Sequence, residues 1–174
     1  MSEEIIVRMG ELAVTSSPGA VLTGLGLGSC IGVCGYDESS GVAAMAHIVL
    51  PTALGRGEDL PAKSADIGVP NLVEAMVKAG ARRMCIKIAI AGGAQLFQFR
   101  NANSKMDVGN RNIEAVREHL AAMSLSETAS DVGGSSGRTV KLYAADGSVT
   151  IRQAGKPEDV LVVLSGLGDL ARAA

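Results

Sequence analysis

Residues 20–51 read AVLTGLGLGSCIGVCGYDESSGVAAMAHIVLP, and this stretch decides most of the predicted fold. Three apolar runs, at 20–27, 31–36 and 42–50, have the length and residue types of β-strands, and the segments between them are turns. The third run is apolar at nearly every position, a pattern typical of a strand buried on both faces. We therefore expect this strand to be covered on both sides of its sheet.

The rest of the chain adds further strands and helices. Strands are predicted at 5–9, 11–14, 83–91, 140–143, 149–153 and 160–164, and helices at 64–79, at about 110–123 and in the tail at 167–174. Pro70 should kink the first helix or mark its true start, because proline lacks the amide hydrogen that a helix interior uses. The alternation predicts a mixed α/β class, with sandwich-like mixed sheets flanked by helices.

The composition limits the kind of protein. With 174 residues the chain has the size of one domain, and we expect a single domain over 1–174. The net charge of -2 and the 2% aromatic content disfavour nucleic-acid binding. No apolar run reaches the roughly 18 residues of a membrane helix, so we expect no membrane insertion. An acidic start and three cysteines without an export signal predict free thiols in the cytoplasm.

Cys30 and His47 are the candidate catalytic pair. Cys30 follows the run Gly-x-Gly-x-Gly-Ser, which predicts a tight turn. Backbone amides of Ser29 and Cys30 at such a turn can form an oxyanion hole for a tetrahedral intermediate. A thiol and an imidazole are the minimum parts of a cysteine nucleophile, because the imidazole removes the thiol proton. The turn position near His47 predicts a lowered pKa for the Cys30 thiol.

Other interpretations of these residues stay open at this point. Free cysteine is among the most buried residue types, and a lone histidine in an apolar strand is more often a core residue than a catalyst. Cys34, an even number of positions after Cys30, would supply a third zinc ligand beside His47. A closed structural zinc site takes four ligands, however, so we expect no metal. The glycine run lacks the Gly-Lys-Ser/Thr ending of a phosphate-binding loop.

A set of motifs runs through most of the chain in a fixed order. It comprises Gly-Leu-Gly-Ser-Cys30, Gly41-Val-Ala-Ala-Met-Ala-His47 with Leu50-Pro51, Lys63-Ser-Ala-Asp66, Ala91-Gly-Gly-Ala-Gln-Leu-Phe97, Gly109-Asn-Arg-Asn112 and Asp131-Val-Gly-Gly-Ser-Ser-Gly-Arg138. Together these resemble the signatures of the CheD family of chemoreceptor glutamine deamidases, although an aromatic residue often stands where Ser64 is. The resemblance covers residues from about 5 to 153, and about 156–174 is predicted to be a C-terminal extension.

The resemblance implies a cysteine–histidine hydrolase with the fold of a deamidating bacterial toxin and with no metal or organic cofactor. Cys30 would be the nucleophile and His47 the general base. The family's third catalytic residue is a threonine, which would orient the imidazole. An ungapped count places it at Gly24, and Thr23 stands one position earlier. Because a one-residue shift reverses the face of a strand, Thr23 would serve only if a bulge turns it inward.

The resemblance also implies a substrate and partners. The substrate would be a glutamine side chain on the cytoplasmic helices of chemoreceptors. The regulatory partner would be CheC, a phosphatase that acts on the phosphorylated response regulator CheY and competes with the receptor. Two other functions stay open. One is a CheD-like binding protein that regulates CheC with little catalysis, which Gly24 would favour. The other is an amidase acting on a small molecule.

Overall fold

The computed structural model describes residues 2–55, 60–96 and 107–166. Within these ranges the chain forms ten strands, two α-helices and one 3₁₀ turn. The strands are β1 (Glu3–Ile6), β2 (Leu12–Thr15), β3 (Ala20–Leu27), β4 (Ile31–Asp37), β5 (Val42–Ile48), β6 (Lys87–Gly92), β7 (Glu127–Val132), β8 (Arg138–Tyr143), β9 (Ser148–Gln153) and β10 (Asp159–Val163). The helices are α1 (Ala65–Lys78) and α2 (Val108–Ala122), and the 3₁₀ turn is Arg83–Cys85.

The strands form two mixed sheets of five strands each. The first, here called the outer sheet, has the order β1-β3-β8-β9-β10. The second, here called the central sheet, has the order β2-β5-β4-β6-β7. β1 runs parallel to β3 and β6 runs parallel to β7, whereas the other paired strands are antiparallel.

The molecule has three layers: the outer sheet, the central sheet and the helices. One core lies between the two sheets and includes Leu22, Met45 and Leu142. The other core lies between the central sheet and the helices and includes Ile48 and Leu72. Every residue of β4 and β5 is buried, because both faces of the central sheet are covered. The predicted doubly buried strand and the predicted mixed α/β class are therefore confirmed.

Three strands differ from the sequence prediction. The strand predicted at 5–9 lies at Glu3–Ile6 and ends before Val7. The strand predicted at 83–91 begins only at Lys87, since the apolar alternation extends into the 3₁₀ turn and Met84 is 99% exposed. β7 is not predicted from the sequence, because its residues, Glu-Thr-Ala-Ser-Asp-Val, are mostly polar and show no apolar alternation. As an edge strand of the central sheet it needs few apolar side chains, and its Thr128 and Ser130 are exposed.

The helices and the C-terminal region bear on three further expectations. α1 begins at Ala65, directly after Ser64, and Pro70 lies inside this helix rather than at its start. β10 pairs with β9, so part of the predicted C-terminal extension belongs to the outer sheet. The helix predicted at 167–174 lies outside the described residues. No helix in the described part of the chain is long and apolar enough to cross a membrane.

Candidate active site

Cys30 and His47 lie on the same face of the central sheet. His47 is paired with Gly32 across β4 and β5, and Cys30 precedes Gly32 by two residues. Cys30 packs in the same core as Met45, and Met45 and His47 are two residues apart on β5, so the Cys30 and His47 side chains share a face. Both are almost buried, with 8% of Cys30 and 4% of His47 exposed. The structure thus brings the predicted thiol and imidazole together at the end of the inter-sheet core.

The His47 ring is held in one orientation by a backbone carbonyl. Its Nδ1 lies 2.9 Å from the oxygen of Val7, the residue after β1. A carbonyl only accepts hydrogen bonds, so Nδ1 carries the proton, and in the neutral ring Nε2 keeps a free lone pair. Val7 is itself fixed, because its N–H donates to the Thr23 carbonyl at 2.8 Å. The imidazole is therefore in the tautomer that a general base requires at Nε2.

The Cys30 turn is fixed by backbone bonds from the Ala91-Gly92-Gly93-Ala94 segment. The Gly93 N–H donates to the Cys30 carbonyl at 2.9 Å, and the Ala94 N–H donates to the Gly28 carbonyl at 2.8 Å. Gly92 has a φ of 116°, and a Cβ there would collide with the Cys30 carbonyl. Glycine is thus required for this close approach of the two chain segments.

Burial makes both candidate groups neutral at rest. It raises the pKa of the Cys30 thiol above its ordinary value, and the hydrogen bond from the residue's own N–H offsets only part of that effect. Burial also lowers the pKa of His47 below 6.5, against the opposing influence of the Val7 carbonyl and the Glu11 charge. The lowered thiol pKa expected from the sequence is wrong, because the Cys30 side chain is buried in the core between the two sheets.

Thr23 lies on the opposite side of β3 from the inter-sheet core. Its hydroxyl donates to Glu4 Oε1 at 2.9 Å, and Lys141 Nζ lies 3.7 Å from the same oxygen. The neighbouring Gly24 faces inward, where a Cβ would lie 3.2 Å from Val140 Cγ1. The register of β3 shifts only after Gly24, so no bulge turns Thr23 inward. The structure does not bring the Thr23 hydroxyl to His47, whose Nδ1 bonds Val7 instead.

The other two cysteines lie apart from the turn. Cys34 is fully buried between the sheets, and burial raises its pKa to about 12. Cys85 is partly exposed in the 3₁₀ turn, and all three thiols are free. Among the described residues no group of three or more His, Cys, Asp or Glu side chains is placed to hold a metal ion. The absence of a metal stays a prediction.

Asn112 on α2 is a site residue that the sequence reasoning did not single out. Its Nδ2 donates to the Ser29 carbonyl at 2.9 Å and to the Val49 carbonyl at 3.0 Å. These carbonyls flank Cys30 and His47 in sequence. The residue does stand in the Gly109-Asn-Arg-Asn112 motif, but its contacts come from distant parts of the chain, which no local pattern reveals.

The fold and this pairing have the layout of a cysteine-dependent hydrolase, and comparison with known proteins gives the family. The CheD family model, described as "CheD chemotactic sensory transduction", matches residues 49–153. The "Probable chemoreceptor glutamine deamidase CheD" of Symbiobacterium thermophilum is 42% identical over 157 residues, which cover 89% of this chain and 95% of that protein. The "Chemoreceptor glutamine deamidase CheD" of Halalkalibacterium halodurans is 42% identical over 154 residues, covering 87% and 94%. The chain belongs to the CheD family.

The alignments to the two relatives include Cys30 and His47, whereas the family-model match at 49–153 begins two residues after His47. The alignment to the Symbiobacterium thermophilum relative covers 89% of this chain. Fewer residues lie outside it than precede Cys30, so both Cys30 and His47 fall within the aligned region. Among solved structures, Bacillus licheniformis YfiH matches with a TM-score of 0.39 and 15% identity, over 71% of this chain and 49% of that one. A likeness at this level supports no conclusion about the site.

Proposed function

We propose that the protein is a chemoreceptor glutamine deamidase that converts glutamine side chains of methyl-accepting chemotaxis receptors to glutamate. The names of its relatives support the substrate. The observation that carries the chemistry is the Nδ1 contact of His47 with Val7, which leaves Nε2 as a base on the face occupied by Cys30. The proposal includes a single domain over residues 1–174. It also includes a location in the cytoplasm, for which the free thiols are the support, because they are typical of a reducing compartment.

The reaction begins with a neutral thiol. Nε2 of His47 takes the proton from Cys30 as Sγ attacks the amide carbon, and the carbonyl oxygen becomes an oxyanion held by the N–H groups of Ser29 and Cys30. The oxyanion collapses to a thioester as the C–N bond breaks, and His47 gives its proton to the departing ammonia. Water then attacks the thioester with His47 as base. The products are a glutamate side chain and the free thiol.

The Val7 carbonyl takes the orienting role that the resemblance gives to Thr23. When His47 becomes an imidazolium during attack, its Nδ1–H remains bonded to Val7, and the Glu11 charge favours the cation. A threonine at position 24 is therefore not needed to fix the ring. For this reason Gly24 does not favour the alternative in which the protein only binds and regulates CheC. CheC binding remains a part of the proposal that only the resemblance supports.

The function is tested by incubating the protein with cytoplasmic fragments of chemoreceptors and following glutamine-to-glutamate conversion by mass spectrometry. The wild-type protein should convert defined glutamines in the receptor helices. A Cys85→Ser variant is the control, because it removes a thiol outside the site. Lack of conversion on every receptor tested, with the protein folded and CheC bound, would leave the binding function as the better proposal.

The pH profile should follow the pKa of His47. Because burial lowers that pKa below 6.5, the base stays unprotonated on acidification, and kcat/KM should remain level from about pH 8 down to 6.5 and decline only below it. The measurement is deamidation under kcat/KM conditions across this range. A decline on raising the pH through neutrality would instead indicate a thiolate–imidazolium pair and contradict the neutral starting state.

Replacing Thr23 by valine should leave deamidation within about twofold of wild type, because the hydroxyl bonds Glu4 and not His47. The substitution keeps the branched shape but removes one partly buried hydrogen bond, so stability should fall by about 1 kcal/mol. Steady-state kinetics and urea unfolding measure the two effects. A loss of about 100-fold in kcat would restore Thr23 as the orienting group.

A further inference from the structure

The Ser29–Cys30 peptide is held in a different way from the peptides beside it. The Gly28 carbonyl accepts from Ala94 N–H and the Cys30 carbonyl accepts from Gly93 N–H, both of them backbone donors. The Ser29 carbonyl between them accepts from the side chain of Asn112. A single side chain on α2 thus controls the peptide whose nitrogen belongs to the nucleophile.

Packing alone does not explain an asparagine at position 112, because an apolar side chain would fill this buried position without an unpaired polar atom. Asn112 is fully buried, and Ile113 and Val116 on the same helix belong to the apolar core. Its Oδ1 is buried and has no hydrogen-bond partner among the described residues. An unpaired buried polar group destabilises the folded state, because its hydrogen bonds to water are lost and not replaced. Only the two bonds donated by Nδ2 offset that cost, and both go to the segments that carry Cys30 and His47.

The geometry of the peptide unit then sets the direction of the Cys30 N–H. In a planar trans peptide the carbonyl and the following N–H point in opposite directions. No cis peptide occurs in the described residues. With the Ser29 carbonyl drawn towards α2, the Cys30 N–H points away from α2. The donor therefore points to the face of the central sheet on which the Cys30 side chain packs, opposite the face covered by α2.

We propose that Asn112 is a positioning residue that locks the Ser29–Cys30 peptide with the Cys30 N–H available to the oxyanion. The inference rests on the proposed deamidase function and adds a residue to it. The second bond, to Val49, ties the same amide to the chain two residues after His47. Without Nδ2 the peptide is free to rotate and to turn its N–H towards the helix, which would remove one oxyanion donor.

The test is Asn112→Leu, which keeps the approximate volume and removes both donated bonds. Since an oxyanion donor acts in the transition state, kcat should fall about 10²–10³-fold while KM stays within about threefold of wild type. Alkylation of Cys30 by iodoacetamide needs no oxyanion hole, so its rate should stay within about twofold. Val116→Ala is the matched control, because it removes apolar packing from the same helix and core and removes no hydrogen bond. It should lose stability and keep kcat.

Asn112→Asp supplies a second readout. A protonated carboxylic acid can donate to the Ser29 carbonyl, but a carboxylate cannot, and burial favours the protonated form. The kcat of Asn112→Asp relative to wild type should therefore rise as the pH falls. A flat ratio at a kcat far below that of the wild type, an unchanged kcat in folded Asn112→Leu, an equal kcat loss in Val116→Ala, or failure of both Asn112 variants to fold would overturn the inference. A wild-type protein inactive on all receptor fragments would overturn the proposed function as well.

Discussion

Cys30→Ala is expected to abolish glutamine deamidation, with kcat falling by at least about 10⁴-fold, because no thioester can form without the thiol. The fold should survive. Cys30 lies at the end of the inter-sheet core, and loss of one sulfur there should cost about 1 kcal/mol. Receptor deamidation and urea unfolding are the two measurements. Retention of more than about a tenth of the wild-type rate would remove Cys30 from the nucleophile role.

Cys34→Ala is the matched control for this experiment. It makes the same substitution in the same core, but Cys34 is fully buried and four residues further along the chain. It should lose stability to a similar or greater extent and keep its activity. Inactivity of both alanine variants, with equal stability loss, would mean that the first effect reflects packing rather than chemistry.

Chemical labelling checks the same assignment independently of receptors. Cys85 is the more accessible thiol, so the labelling is done in a Cys85→Ser background. There, iodoacetamide should modify Cys30 before Cys34, whose pKa is raised to about 12 by complete burial. Because burial also raises the pKa of Cys30, its labelling should speed up with increasing pH and should be slow under mildly acidic conditions.

His47→Gln is expected to lower kcat by about 10²–10⁴-fold near neutral pH. Glutamine can still donate to the Val7 carbonyl, so the site should remain filled while the base at Nε2 is lost. The remaining activity should climb with pH, because the thiol must then ionise in water on its own, against the pKa that burial has raised. A pH–rate profile of both proteins measures this change.

Two results would argue against His47 as the base. One is a His47→Gln protein whose deamidation rate, like that of the wild type, does not change with pH around neutrality. The other is an equal loss in a control at Met45, two residues earlier on the same face of β5, where Met45→Leu changes packing without touching any proton carrier. That control should remain within about threefold of wild-type activity, since a volume-conserving swap in the core is well tolerated.

Local patterns in the sequence determined the class of fold and the main candidate pair. The apolar run at 42–50 predicts a strand covered on both faces, and the structure places β5 in the middle of three layers. This works because periodicity and burial are properties of a short segment and its immediate environment. The boundary of β6 and the polar strand β7 could not be found in this way, since a turn can mimic alternation and an edge strand needs little apolar surface.

The arrangement of the site was decided by the tertiary structure. The sequence alone names Cys30 and His47, but their meeting depends on the β4–β5 register that pairs Gly32 with His47. Val7 contacts His47 through its backbone carbonyl, and Asn112 contacts the Cys30 turn from α2, which is distant in sequence. Neither contact leaves a pattern in residue types. The raised thiol pKa likewise arises from burial of the Cys30 side chain between the two sheets. Side-chain direction, burial and long-range hydrogen bonds depend on how the layers close, so only the folded chain defines them.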